Sequence, residues 1–200
     1  TKMLKSSLIS RIQKHPQKTI FSELLIWLYL QEKDFENAFY QTKALDKRNK
    51  ESGKRLINLG DLALSNTNYD IAAKCFKYVI DLGQSKKYYI EAKSKYLHSL
   101  YTKVIEHFAY TQSELIDLEK TYHSTLEELG LNNETFNLLL ELAHLKAFYL
   151  NQNKEAIEIL RSALDIPNIS HQQQSKCKLE LGDVLVFSNE PWEATLLYAK

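Results

Sequence analysis

Apolar residues recur along this chain with the spacing of amphipathic helices. In the clearest unit, Leu56, Gly60 and Ala63 are three or four residues apart and share one face of a first helix. A polar Ser-Asn-Thr-Asn segment then interrupts the pattern as a turn. Ala72 and Phe76 begin the apolar face of a second helix. The pattern therefore predicts two antiparallel helices joined by a short turn.

The same unit occurs more than once. Gly60 lies in a Leu-Gly-Asp triplet and is followed twelve residues later by Ala72, and Gly182 and Ala194 repeat that arrangement. Small residues in two facing helices permit the close pairing on which helical solenoids are built. A step of 34 residues back from Ala72 reaches Ala38, which is in phase. We therefore divide a single helical-repeat domain at 1–200 into the second helix of a truncated repeat at 1–18, repeats at 19–52 and 53–86, an irregular long helical pair at 87–133, a repeat at 134–169, and a repeat at 170–200 that is truncated at its C-terminus.

The middle of the chain departs from this period. Ala72 and Ala156 are both in phase with a second helix, yet the 84 residues between them are not a multiple of 34. One oversized pair, with helices at about 87–109 and 112–129, accounts for the difference. The sequence leaves open whether 87–133 is a true repeat or an insertion.

Capping signals mark several helix starts. In the segments 111–114 and 170–173, Thr or Ser is followed three residues later by Glu or Gln, which is the spacing of a capping box. Pro191 fits the first turn of a helix capped by Asn189. These signals predict helices that begin just after each cap.

Composition supports an all-helical chain and shows an uneven charge. Five glycines and three prolines leave few helix breakers. The net charge of +1 combines 18 basic and 10 acidic residues in 1–100 with 8 basic and 15 acidic residues in 101–200. This asymmetry fits either solvated helix faces or polarised docking, including head-to-tail contact between copies.

The sequence contains no constellation of residues typical of catalysis. None of the six histidines forms the helical pair with a glutamate that zinc hydrolases use, and no glycine-rich phosphate loop occurs. Cys75 and Cys177 are about a hundred residues apart and are each predicted to be a small buried side chain. We therefore predict that the chain is not an enzyme and uses no cofactor or metal.

Charge and hydropathy indicate whether the chain is expected to bind nucleic acid or to span a membrane. A basic cluster around 43–55 is interrupted by Asp46 and Glu51 and has no interleaved aromatic residue, so nucleic acid is not an expected partner. No apolar stretch is long enough to predict a membrane span. The chain begins with Thr1 and ends inside a predicted helix, so we expect it to be a piece of a longer protein.

These patterns resemble the tetratricopeptide repeat family over 19–86 and 137–200. The resemblance implies an all-α fold, a right-handed superhelical solenoid of antiparallel helix pairs. The C-terminal Leu-Gly-Asp-Val-Leu segment with Trp192 and its neighbours is similar to large repeat proteins of Bacteroidetes-type bacteria, many of which are exported. That similarity implies a bacterial origin and a periplasmic or otherwise exported location. The residues that fit the family pattern are Leu56, Leu59, Gly60, Ala63, Ala72 and Phe76.

In this family the first helices of successive repeats line a concave groove. The resemblance therefore implies a non-enzymatic protein-protein interaction scaffold that binds a peptide or protein partner there. An apolar groove with scattered acids favours an amphipathic or basic segment. The residues that the family register places in the groove are Glu23, Trp27, Leu30, Ile57, Asp61, Leu64, Glu141, Leu145, Phe148, Tyr149, Leu179, Asp183 and Phe187.

Two other functions remain open from the sequence. The chain is also compatible with a structural module that self-associates end to end, and with a regulatory repeat domain of a larger protein. The identity of the partner, the biological process, the compartment and the oligomeric state are left open. Groove residues of aromatic type also fit a purely structural role between helices.

Overall fold

The computed structural model describes residues 2–107 and 110–198, except for the side chain of His107. Regular structure within these ranges is entirely helical, as predicted. The described part of the chain contains eleven helices: α1 (Lys2–Lys14), α2 (Thr19–Gln31), α3 (Phe35–Asn49), α4 (Lys54–Ser65), α5 (Tyr69–Asp81), α6 (Tyr89–His107), α7 (Gln112–Leu129), α8 (Phe136–Phe148), α9 (Asn153–Leu164), α10 (His171–Phe187) and α11 (Pro191–Tyr198).

The helices form two compact units, Thr1–Ser99 and Leu100–Lys200, whose boundary lies within α6. In the first unit, α1 packs on α2, α2 on α3, α3 on α4 and α4 on α5. In the second unit, α7 packs on α8, α8 on α9, α9 on α10 and α10 on α11. Each unit is therefore a series of helical hairpins. The single domain at 1–200 and its division into repeats stay predictions.

The capping signals are largely confirmed. Thr111 and Ser170 each accept from the backbone N–H three residues later and complete a capping box at the start of α7 and of α10. The expected cap at Asn189 is wrong. That residue has a φ of 68° in the turn after α10, and α11 begins at Pro191, so Glu190 occupies the capping position. A left-handed asparagine closes a turn rather than opening a helix.

The Leu-Gly-Asp triplets mark close contacts between paired helices. In the first unit, a methyl group on Gly60 of α4 would lie 2.5–3.1 Å from three atoms of the Phe76 ring on α5. In the second unit, a methyl group on Gly182 of α10 would lie 2.6–2.9 Å from Tyr198 on α11. The two glycines thus admit an aromatic ring against the helix backbone, which explains why the sequence repeats a glycine at this position.

A buried carboxylate joins α3 to the following pair in the first unit. Asp46 is 1% exposed and accepts hydrogen bonds from the backbone N–H of Gly53 and from the hydroxyl of Tyr78, each at 3.0 Å. Burial, and then the hydrogen bond to Asp46, raise the pKa of Tyr78 to about 12. The phenol therefore stays protonated and donates to the carboxylate at neutral pH.

We expect Tyr78→Phe to lower the free energy of unfolding by about 1.5 kcal/mol, because it removes one hydrogen bond to a buried charge and leaves the ring in place. Urea unfolding monitored by circular dichroism measures this change. Tyr40→Phe is the matched control, since Tyr40 is exposed and lies on the neighbouring helix α3. Equal stability of Tyr78→Phe and the wild type would contradict the role assigned to this hydrogen bond.

In the second unit, the buried ammonium of Lys146 joins neighbouring helices, as the Asp46 carboxylate does in the first unit. The side chain of Lys146 on α8 is 2% exposed and donates to Glu119 of α7, to Gln152 Oε1 at 2.8 Å and to Glu155 Oε2 at 2.7 Å. Burial lowers the pKa of Lys146, but the hydrogen bonds to Glu119 and Glu155 outweigh this, and the pKa is raised. One cation thus links α7, α8 and α9.

Candidate functional site

An open cavity of about 490 Å³ lies between α2 and α4, the first helices of two successive hairpins in the first unit. Trp27 is 55% exposed beside it, although tryptophan is a large apolar residue that is usually well covered. The cavity has the volume of a ligand or peptide side-chain pocket. Its lining residues are Glu23, Ile26, Trp27, Leu30, Thr42, Arg55, Asn58, Leu59 and Leu62.

Ion pairs connect the first helices across this face. Arg55 lies 3.0 Å from Glu23 and 2.9 Å from Glu51. Partial burial lowers the pKa of Arg55, while the hydrogen bonds to Glu51 and Glu23 raise it by more. On the other side of α4, Lys95 of α6 lies 2.6 Å from Asp61. The predicted acids of this unit are therefore paired with cations, and the exposed side chains that remain without a charge at this face are mainly apolar.

The face formed by α8 and α10 in the second unit is aromatic. The rings of Phe148 and Phe187 lie 5.2 Å apart, and those of Tyr149 and Tyr110 lie 5.5 Å apart. Phe187 is 55% exposed, and Phe148 and Tyr149 are partly exposed. Edge and tilted ring contacts at these distances are the favourable geometries for aromatic pairs. The result is a partly exposed apolar surface.

A histidine-carboxylate pair lies under these rings. Nδ1 of His144 is 2.7 Å from Oε1 of Glu180, and its ring lies 4.6 Å from that of Phe148. Tyr101 contacts the same imidazole edge-on at 6.1 Å. Burial, and then the charges of Glu141 and Glu180, raise the pKa of Tyr101, so its hydroxyl stays neutral. These polar contacts link α8 to α10 beneath the aromatic surface.

Two of the thirteen predicted groove residues are buried, and the other eleven are exposed or partly exposed. Ile57 and Leu145 are fully buried, so both are core side chains and are not available to a partner. The Asp183 carboxylate accepts from the Tyr198 hydroxyl at 2.7 Å, and the Glu141 carboxylate accepts from Tyr122 at 2.8 Å. The predicted residues that are exposed or partly exposed are Glu23, Trp27, Leu30, Asp61, Leu64, Glu141, Phe148, Tyr149, Leu179, Asp183 and Phe187.

Several residues of these faces were not predicted. Arg55 and Lys95 neutralise the acids of the first unit, and His144 and Glu180 form the layer of the second. The spacing of these residues in the sequence indicates their pairing. Asp61 and Lys95 are 34 residues apart, and His144 and Glu180 are 36 residues apart, so partners of these polar groups recur at about one repeat length. Adjacent first helices bring such positions together.

The described residues provide no group of three or more His, Cys, Asp or Glu side chains that could hold a metal ion. Cys75 and Cys177 are free and buried, and burial raises the pKa of each thiol to about 12. A helix long and apolar enough to cross a membrane is not found in the part of the chain that the structure describes.

Serial helical hairpins, each packed on the next, are the architecture of helical repeat proteins. A scan against protein-family models and a search of curated proteins found no match. Solved structures do match. Residues 41 to the end of MamA from Desulfovibrio magneticus RS-1 align with 15% identity and a TM-score of 0.59, over 91% of this chain and 92% of that one.

Two further structures are tetratricopeptide repeat proteins by name. YrrB, described as a repeat protein with an unusual peptide-binding site, aligns with 10% identity and a TM-score of 0.55, over 95% of this chain and 88% of its own. A tetratricopeptide repeat protein from Parabacteroides merdae aligns with 16% identity and a TM-score of 0.53, over 99% and 71%. The chain therefore has the tetratricopeptide-like fold, and the predicted fold class is confirmed.

Proposed function

We propose that this chain is a non-enzymatic protein-interaction scaffold that binds a segment of a partner protein on the faces formed by its first helices. The observation that carries the proposal is the cavity of about 490 Å³ between α2 and α4, beside which Trp27 is half exposed. An open apolar pocket with a few polar groups is the usual form of a binding site. The tetratricopeptide-like fold and the peptide-binding site named for YrrB support this proposal.

In the first unit the bound segment would be anchored by an apolar side chain. Glu23 and Asp61 are already paired with Arg55 and Lys95, so the floor between them carries little net charge. The amide of Asn58 is exposed at the same cavity and offers a donor and an acceptor to a peptide backbone. Such a pocket suits an extended or helical segment that inserts one apolar side chain and makes one contact with the amide. The segment as a whole need not be charged.

In the second unit the bound segment would lie on the aromatic surface. Phe187 is 55% exposed and Phe148 is partly exposed; their rings contact each other, and the Phe148 ring also contacts His144. Rigid aromatic side chains lose little conformational entropy when a partner covers them, which is why they dominate protein interfaces. We infer that each unit offers its own anchor for a partner segment.

The double variant Trp27→Ala/Phe187→Ala tests the proposal. Loss of two interface aromatics is expected to weaken binding by at least about tenfold, since such anchors each contribute about 2 kcal/mol. The chain is used to capture a partner from lysate of its source cells. The affinity of the purified partner for each variant is then measured by isothermal titration calorimetry.

Trp192→Ala is the matched control, because Trp192 is 85% exposed on the second helix α11. It is expected to leave the affinity unchanged. Thermal unfolding of all variants checks that they are folded. A partner bound equally by the wild type and by the folded double variant would exclude these faces as the binding site. Concentration-dependent self-association with no captured partner would instead favour the end-to-end assembly module.

A further inference from the structure

A second open cleft lies in the second unit where α7, α8 and α9 meet. Its volume is about 540 Å³, which is within the range of ligand and side-chain pockets. Its floor consists of leucine and isoleucine side chains, and its edges carry carboxylates. The lining residues are His123, Leu126, Glu127, Leu131, Leu139, Leu142, Lys146, Glu155, Glu158, Ile159 and Ser162.

The cleft is on the opposite side of α8 from the aromatic surface. Leu139, Leu142 and Lys146 line the cleft, whereas His144 and Phe148 belong to the aromatic layer. A helix turns by 100° per residue. The first three positions therefore point to one side of α8, and the last two point to the other. Occupation of the cleft is thus distinct from binding at the faces proposed above.

The first unit indicates why the cleft is open. Ala72 of α5 and Ala156 of α9 occupy the same place in their hairpins, so Tyr78 corresponds to Ser162. Tyr78 is buried and reaches Asp46 of the preceding second helix, and α3 contacts α5 directly. Ser162 lines the cleft and ends after one hydroxyl, which binds the α9 backbone. The tyrosine side chain fills this position in the first unit, and the shorter serine leaves the corresponding position open in the second unit.

The charges at the cleft are negative and partly uncompensated. The ammonium of Lys146 already donates hydrogen bonds to Glu119 and Glu155. Glu127 of α7 and Glu158 of α9 are exposed at the two edges, and neither carboxylate has an ion-pair partner among the described residues. The cleft therefore combines an apolar floor with a free carboxylate on each side.

We propose that this cleft docks a basic amphipathic segment of a partner protein, with one large apolar side chain on the floor and Lys or Arg residues beside Glu127 and Glu158. The volume suits one such side chain, and opposite charges at the rim set orientation and exclude acidic segments. A docking site here lets the chain hold a second segment while its aromatic surface is occupied.

The test uses a short helical peptide of leucine and lysine and a second peptide in which every lysine is glutamate. Fluorescence anisotropy measures their affinities for the full chain, and methyl NMR locates the site through Ile159. The Leu/Lys peptide is expected to bind and to shift the Ile159 methyl signal, and the Leu/Glu peptide is not. Ser162→Tyr, which copies the residue of the first unit, is expected to weaken binding at least about tenfold. Ser175→Tyr makes the same change at an exposed position of α10 that does not line the cleft, and it is expected to leave binding unchanged.

Charge reversal separates the site from general attraction to acidic protein. Glu127→Lys/Glu158→Lys is expected to weaken Leu/Lys peptide binding about tenfold. Glu134→Lys/Glu190→Lys changes the net charge equally at exposed positions outside the cleft and is expected to have little effect. Equal losses in both variants, or full binding by folded Ser162→Tyr, would overturn the proposal. Binding lost only with Trp27→Ala/Phe187→Ala would also overturn it, as would self-association of the free chain that Ser162→Tyr abolishes.

Discussion

Replacement of Gly60 by alanine is expected to lower the free energy of unfolding by about 2 kcal/mol, the balance of about 3 kcal/mol of overpacking and about 1 kcal/mol gained in helix propensity. The new methyl carbon would lie 2.5 Å from a carbon of the Phe76 ring, which is far inside van der Waals contact. Phe76 is fully buried among the core residues of the first unit and has no free space to move into. The gain of about 1 kcal/mol in helix propensity from glycine to alanine offsets only part of this overpacking. Thermal and urea unfolding measure the net change.

Gly182→Ala is the matched control within the same motif. Its methyl carbon would lie 2.6 Å from the ring of Tyr198, so the local crowding is similar. Tyr198, however, is 48% exposed on α11 and can rotate into solvent. The gain in helix propensity should then compensate, and stability should change by less than about 1 kcal/mol. Equal losses at Gly60 and Gly182 would contradict the view that burial of the aromatic partner determines the cost.

The periodic features of the fold were predictable because they depend on local residue spacing. The spacing of Gly60 and Ala72 identified the hairpin, and the structure buries Ala72 and places Gly60 against the Phe76 ring of the second helix. Two capping boxes, at Thr111 and Ser170, were equally readable, since all their partners lie within three residues. The error at Asn189 has a local cause too. Asparagine suits both a helix cap and a left-handed turn, and sequence spacing alone does not distinguish them.

Features that depend on neighbouring helices were not predictable. Ile57 and Leu145 lie beside the packing stripe of their helices, and only the helices on both sides reveal that they are covered completely. The neutralisation of Glu23 by Arg55 likewise requires two hairpins to be placed side by side. Lys146 is the clearest case, because lysine is almost never fully buried unless it is paired, and its partners come from α7 and from the start of α9.

The open cleft shows how one side chain alters a repeated architecture. Ser162 stands at the position that the bulkier Tyr78 occupies in the first unit, and an open cleft lies beside it. The sequence contains both residues at corresponding positions, 84 residues apart. Their different consequences follow only once the preceding second helix is in place. Variation between repeats thus leaves a cleft open in one unit and filled in the other, because the hairpin framework tolerates a serine where a tyrosine fills the gap.

Lys146→Met is expected to lower the free energy of unfolding by about 3–4 kcal/mol. Methionine fills nearly the same volume, so little of this cost arises from a cavity. The cost arises because Glu119, whose side chain is 16% exposed, loses its cation in a poorly solvated place. Urea unfolding of the full chain measures the change. Lys120→Met is the control, since Lys120 is 72% exposed, 3.6 Å from Asp117, and its pair is expected to contribute less than about 0.5 kcal/mol.

The pH dependence of the same variant tests the electrostatic cause. The hydrogen bond from Lys146 lowers the pKa of Glu155 below its ordinary value of 4.5, so this stabilisation is present above pH 4.5 and is lost as the pH falls through the lowered pKa. The pKa of Lys146 is raised above 10.5, so its contribution is present below that pH and is lost as the pH rises through the raised pKa. The stability difference between the wild type and Lys146→Met should therefore be largest between these limits and shrink beyond both. Lys146→Met/Glu119→Gln should recover part of the loss at neutral pH. A difference that is independent of pH, with no recovery in the double variant, would mean that packing rather than charge determines the effect.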